Sequence, residues 1–443
     1  MSYSELMSTT SIQLPFHLQP EGIMNAVIFN PLTIFKVVRA CLQTFFGWSS
    51  SRPSILLTLT PNFNTLEHIV SLSAILEVHE ARHIHPGQVL LEMKMVDGNV
   101  PSNDYQGTNA IKATDEYGIL PLTFNDAENR MRYWYSSRVP HGIITIEFEA
   151  FPRAVNNHTP VGPRVDLRMD QGGIIGAGST FIPVPPYRDT ILDIYLNWNL
   201  SGAPEGTAAV WSFGDGAKSS KTGAVDVLSK SNFMVGPINK YTRKITPEHG
   251  VSKDFGIYWF GNPRAFDIVK VARITSKLFE KMAPFFKDTK DSYRVFLRFN
   301  PYRGFGGSGF LRSFVLEYDP YLIIDEDDLL CLLTHEMVHN WPLMEQESEG
   351  DSEEGAWYVE GMSSNLETIM HLRNHQDISD GEPINPIRSQ NDLNRRYGIS
   401  MLSRSWKTGS CLSSPIPFHT ADFSFMFSVR NLTHSWSRRC DVL

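Results

Sequence analysis

The sequence predicts an α+β chain of several domains, an antiparallel β-sandwich followed by an α/β domain. Three observations carry that expectation. The 443 residues exceed what one hydrophobic core usually organises. Residues 54–229 fall into short alternating segments separated by turn clusters, the pattern of half-buried strands. Around Pro247 the apolar period shifts from two residues toward the 3.6 of a helix.

Taken in order, residues 1–53 read as an N-terminal extension and 54–245 as the β-rich domain. In the latter, ITIEFEAF (144–151) alternates apolar and acidic positions, and TILDIYLNW (190–198) repeats the period. Gly98-Asn99, Gly172-Gly173 and Gly214-Asp215-Gly216 supply turns. Residues 246–383 form the α/β domain. They open with a helical stretch at 264–288, in which apolar residues recur at helical spacing. A strand (292–302), a glycine-rich turn (RGFGGSGF, 303–310) and the strand-like SFVLEY follow. A further helix starts near Asp325, where four successive acids suit the positive end of a helix dipole. It is expected to run to Trp341, where Pro342 favours a stop. A second helical stretch spans 353–375. From 384 to 443 the chain is rich in Ser, Arg and Pro and reads as an irregular tail or a truncated helical domain.

Composition narrows the function. Hydrophobic residues at 42% and charged residues at 20% are those of a globular protein. A net charge of −8 without a basic stripe excludes nucleic acid as the main partner. Cys41, Cys331, Cys411 and Cys440 form no CxxC pair, which argues against a disulfide framework or a cysteine zinc site. With no basic start leading into an apolar core, a secretory signal is not expected, and the chain is assigned to the cytoplasm. The sequons at Asn157, Asn199 and Asn431 then carry no meaning. Residues 22–48 are apolar but broken by Asn25, Asn30, Pro31, Lys36 and Arg39, too often for a membrane span. They read either as an amphipathic helix touching a membrane surface or as a segment docked on the protein.

The chemistry concentrates in LLTHEMVHNWP (332–342). On a helix, His335 and His339 lie four residues apart and share a face, so both imidazoles can reach one zinc ion. Glu336 stands beside the metal rather than on it and suits a general base acting on zinc-bound water. The bland alternative is a pair of histidines on a solvated helix face. Against it, Leu329, Leu330, Leu332 and Leu333 make the preceding turns strongly apolar. A catalytic zinc keeps three protein ligands, and the 353–375 helix offers Glu360. Glu367, two turns further on, is placed to accept the second ring N–H of a ligating histidine. Its bland reading is a surface acid.

HEMVHNW followed by WYVEG resembles the zinc site of the gluzincin metallopeptidases, which include the aminopeptidase N and glycyl aminopeptidase families. The His339-Asn340-Trp341 signature, the sheet-rich front half and the stretch 164–185 look most like the glycyl aminopeptidases. The resemblance spans about residues 54–375 and is strongest over 330–370. It implies a thermolysin-like catalytic domain with one zinc on His335, His339 and Glu360. It further implies Glu336 as base, Glu367 behind a ligand, and a peptide substrate paired along Gly306 and Gly307. The family's oxyanion-stabilising tyrosine has one counterpart here, Tyr397. Two departures stand out. An acidic insertion (345–354) lengthens the gap before Glu360 by two residues, and 306–314 lacks the glutamate that often grips a substrate's amino group there. The expectation is therefore an aminopeptidase-like zinc peptidase, with a non-catalytic zinc-binding relative as the rival.

Overall fold

The computed structural model describes residues 52–79, 84–107, 110–245, 253–288, 292–301, 305–321 and 326–341, without the side chains of 326–328 and 331. The expectations for 1–51, the 22–48 segment, the acidic insertion, Glu360, Glu367, Tyr397 and the 384–443 tail lie outside the described residues. Among those described, the protein is mostly β, with few helices.

A seven-stranded sheet runs in the order Lys218–Gly223, Leu192–Trp198, Ser54–Phe63, Ile69–His79, Ile144–Ala150, Ile111–Asp115, Gly118–Ile119. Its strands show the predicted alternation: Ile144–Ala150 buries Ile144, Ile146, Phe148 and Ala150 and turns Glu147 and Glu149 outward. One pairing departs from an all-antiparallel sandwich. Ser54–Leu59 runs parallel to Asp193–Trp198, a long-range contact that local alternation cannot signal. A three-stranded sheet (Val89–Lys94, Met131–Ser136, Leu122–Asp126) and part of a five-stranded one close the same core, around Leu57, Leu76, Ile146, Phe181, Leu196, Trp211 and Phe233.

A second five-stranded sheet carries the site. Its order is Ile238–Ile245, Lys253–Phe260, Tyr293–Phe299, Ser313–Tyr318, Gly306–Phe310. Ile238–Ile245, grouped with the β-rich region by its position before 246, pairs here with Lys253–Phe260. The two pairings among Lys253–Phe260, Tyr293–Phe299 and Ser313–Tyr318 are parallel. The first is crossed by the helix Ile268–Phe285, capped at its start by Asp267, whose side chain accepts from Val269 and Lys270 N–H.

Parallel strands are covered on both faces, and this sheet's two faces differ in kind. Toward the helices point Tyr293, Val295, Leu297, Phe314, Leu316 and Tyr318, packed with Phe279, Met282, Leu333 and Met337. The opposite face presents Arg294, Phe296 and Arg298 beside Ser313, Val315 and Glu317, and it meets the five-stranded sheet of the front half. Contacts there include Arg294 to Asp215 at 2.8 Å, Ser212 to Ser313 at 2.7 Å and Arg298 to Asp166 at 2.6 Å.

Candidate metal centre

The helix Glu326–Val338 is shorter than its sequence suggests. His339, Asn340 and Trp341 leave the α-helix and wind on as i→i+3 turns, with Asn340 N–H to Met337 O at 3.1 Å and Trp341 N–H to Val338 O at 3.0 Å. Tertiary contacts hold this end. Trp341 Nε1 donates to Asp288 Oδ2 at 3.0 Å, and the indole stacks on Phe286 with centroids 4.7 Å apart. Asn340 Oδ1 accepts the N–H of Arg312 at 3.1 Å. Arg312 sits at φ +56°, a left-handed conformation costly for a side-chain residue. Its guanidinium reaches Asp288 at 2.5 Å, which anchors the turn. The end of the histidine helix and the turn closing the 306–313 hairpin are thus tied together.

Leu330, Leu333, Met337 and Val338 bury the inner face of the helix. His335 and His339 are half-buried rather than core residues, and Glu336 is only 6% exposed. The two imidazoles converge: Nε2 of His335 and Nε2 of His339 lie 3.2 Å apart, with the ring planes at 85°. Two zinc–nitrogen bonds of about 2.0–2.1 Å at a tetrahedral angle separate their nitrogens by about 3.3 Å. The observed spacing therefore fits two ligands of one zinc ion. It also suits an Nε2–H···Nε2 hydrogen bond between neutral rings. Among the described residues no group of three or more metal-binding side chains assembles, the expected third ligand lying outside them.

The strand beside this pair corrects the pattern reading of RGFGGSGF as a turn; the edge strand that the resemblance needs for a peptide along Gly306 and Gly307 is present. Gly306–Phe310 is a strand at the sheet edge, antiparallel to Ser313–Tyr318, and none of its glycines adopts positive φ. Their role is space. A Cβ on Gly307 would fall 2.4 Å from Cδ and Cγ of Glu336, and one on Gly309 would fall 2.6 Å from Cβ of His339. Neither separation is tolerable for real carbons. The glycines let the helix bring its carboxylate and second histidine directly onto the edge strand. Because Gly306–Phe310 pairs on one side only among the described residues, half of its backbone N–H and C=O groups face away from the sheet.

Beneath the helix lies a residue that sequence reading missed. The Tyr293 hydroxyl is fully buried without a hydrogen-bond partner among the described residues. Burial pushes its phenol far above the ordinary range; Arg312 opposes this and the Glu336 carboxylate adds to it. Nothing in an alternating strand distinguishes such a tyrosine from an ordinary core residue.

No family model matches the sequence, nor does any curated protein. Among solved structures, an aminopeptidase N family protein from Idiomarina loihiensis is similar at a TM-score of 0.50 and 16% identity, over 71% of this chain and 54% of that one. The chain thus spans about half of that structure's length. The M1 zinc metallopeptidase of Deinococcus radiodurans, in a variant bound to a Tyr-Ser-Ala substrate, matches at a TM-score of 0.45 and 13% identity, over 79% of this chain and 74% of that one. The same metallopeptidase in another structure gives 0.44 and 14% over the same shares. At such identities the likeness concerns fold. The first of them supports an aminopeptidase-N-type fold without singling out the glycyl aminopeptidase family.

Proposed function

We propose that the chain is a zinc-dependent metallopeptidase, aminopeptidase-like in its action on peptides. In this reading 54–245 is a β-rich domain whose last strand, Ile238–Ile245, joins the sheet of a thermolysin-like catalytic domain of 246–383. The observation that supports it is the meeting of three features at one point: two imidazole nitrogens 3.2 Å apart, a buried carboxylate beside them and a glycine edge strand underneath.

His335, His339 and Glu360 would hold one zinc ion. Bound zinc supplies Lewis acidity and brings the pKa of its water toward about 7. Glu336 takes the proton of the attacking water and returns it to the leaving amine. Its burial keeps the carboxylate close to the strand and out of bulk solvent, where its charge acts most strongly. The strand that bears Gly306 and Gly307 offers its outward-facing backbone groups to an extended peptide, which adds to the sheet as a further strand. Glu367 orients a ligating histidine through the ring's other N–H, and Tyr397 steadies the developing oxyanion.

The test is Glu336→Gln on the full chain with a mixed peptide pool as substrate. Hydrolysis is expected to fall by about 10²–10⁴-fold, the usual worth of a positioned general base, with zinc content unchanged. Hydrolysis at the parent rate would overturn the assignment.

A further inference from the structure

Gly306 and Gly307 are neighbours on the edge strand and face opposite sides of the sheet. Gly307 lies under Glu336, whereas Gly306 lies under an arginine. A Cβ on Gly306 would fall 1.8 Å from Nη2 and 2.3 Å from Cζ of Arg164. The backbone holds this residue in place, since the N–H of Arg164 donates to Ser308 Oγ at 2.8 Å. An arginine from the front half of the chain is thereby seated on the strand that carries the candidate metal centre.

Behind it is a buried charge cluster. Glu317, fully buried, accepts from Arg168 Nη1 at 2.6 Å and from Arg298 Nε at 2.9 Å. Asp166 accepts from Arg298 Nη2 at 2.6 Å and from Arg168 Nη2 at 3.0 Å, and pairs with Arg153 at 3.4 Å. The closest approach of Arg164 to the cluster is its Nε, 3.4 Å from Glu317 Oε2, and this nitrogen makes no hydrogen bond among the described residues. Its terminal nitrogens make no hydrogen bond among the described residues, and its side chain is 15% exposed. Four guanidiniums, of Arg153, Arg164, Arg168 and Arg298, therefore share Asp166 and Glu317. Counting Asp170, whose carboxyl burial pushes upward, the described residues of the cluster are three acids and four bases.

We infer that Arg164 reads a carboxylate on a peptide laid along Gly306–Phe310, as a specificity-determining residue. The inference rests on the peptidase reading, because that reading brings a peptide to this strand. An extended peptide added to a sheet edge sends successive side chains to opposite faces. When one residue faces Glu336, its neighbour faces the Arg164 side. There the terminal nitrogens of Arg164 meet a carboxylate with two parallel N–H···O bonds, a forked geometry that lysine lacks. The carboxylate is either the C-terminus of a short peptide or an acidic side chain within a longer one.

The experiment is calorimetric binding of three peptides to full-length protein carrying Glu336→Gln. The probes are tetra-alanine with a free C-terminus, tetra-alanine amide, and tetra-alanine amide with one alanine replaced by glutamate. At least one carboxylate-bearing peptide is expected to bind about tenfold or more tightly than the neutral amide, the worth of a charge-assisted hydrogen bond. The first peptide winning points to the C-terminus, the third to the side chain. Arg164→Met is expected to abolish the preference, and Arg164→Lys to retain part of it. Gly306→Ala, which displaces the guanidinium without altering the buried charges, is expected to abolish it as well; this guards against misfolding of the methionine variant. Equal binding of all three peptides to the parent, or a preference intact in both Arg164→Met and Gly306→Ala, overturns the role of Arg164 and leaves the peptidase reading standing. Failure of every peptide to bind the parent overturns both.

Discussion

The two faces of the second sheet differ in how their charges are satisfied. On the face toward the front half, Arg298 and Glu317 are completely buried and answer each other within the protein. On the helix face, His335 and His339 bring their Nε2 atoms within 3.2 Å of one another. The first face answers its Arg298–Glu317 pair from within. The second holds two ring nitrogens at a spacing that a metal cation would use. The contrast teaches that one sheet can serve as structural cement on one side and as a reactive platform on the other, with the same glycine strand, Gly306–Phe310, bordering both.

Breaking the first face should have the largest thermodynamic effect. Glu317→Gln leaves Arg168 and Arg298 buried with half their compensation, and a loss of about 3–5 kcal/mol is expected from denaturant unfolding. Zinc content of the folded fraction should be unchanged, because the helix lies on the other side. Next comes the second face. Gly307→Ala drives a methyl group into Glu336. Peptide hydrolysis is expected to fall about 10²-fold through misplacement of the base, with a stability loss of only about 1–3 kcal/mol. Kinetics and unfolding measured on one preparation would separate the two effects.

Smaller effects sharpen the comparison. Trp341→Phe keeps most of the stacking on Phe286 but gives up the bond to Asp288. About 1.5–3 kcal/mol is the usual worth of a hydrogen bond to a charged group, and the lower end is expected here because Arg312 still partners Asp288. The smallest is a pH effect. At Asp166 burial raises the carboxyl's pKa, but the guanidiniums of Arg298 and Arg168 outweigh it, so the net shift is downward. A carboxyl depressed in the folded state stabilises fully above its unfolded value of about 3.9 and loses that contribution as pH falls below it. Unfolding free energy should therefore decline from about pH 4 downward, and less steeply in Asp166→Asn.

Much of this was legible in the residues themselves. The alternation of 144–151 and 190–198 announced their strands, and the four-residue spacing of His335 and His339 announced a shared direction. What was hidden has a physical reason in each case. Gly306–Phe310 read as a turn because glycines carry no side chain to alternate, so a strand built for close approach loses its own signature. The helix end was overestimated because Asp288 and Arg312, remote in sequence, decide where it stops. The arginine cluster joins residues 132 and 149 positions apart, and no local pattern marks Arg164 as different from any surface arginine. No helix among the described residues is long and apolar enough to cross a membrane.

The most direct measurement is the metal content of the purified full-length chain, prepared without chelators, beside His335→Ala. One zinc per chain in the parent and none in the variant is the predicted result. A parent that carries no metal, with the imidazoles simply bonded to each other, would contradict the account at its root.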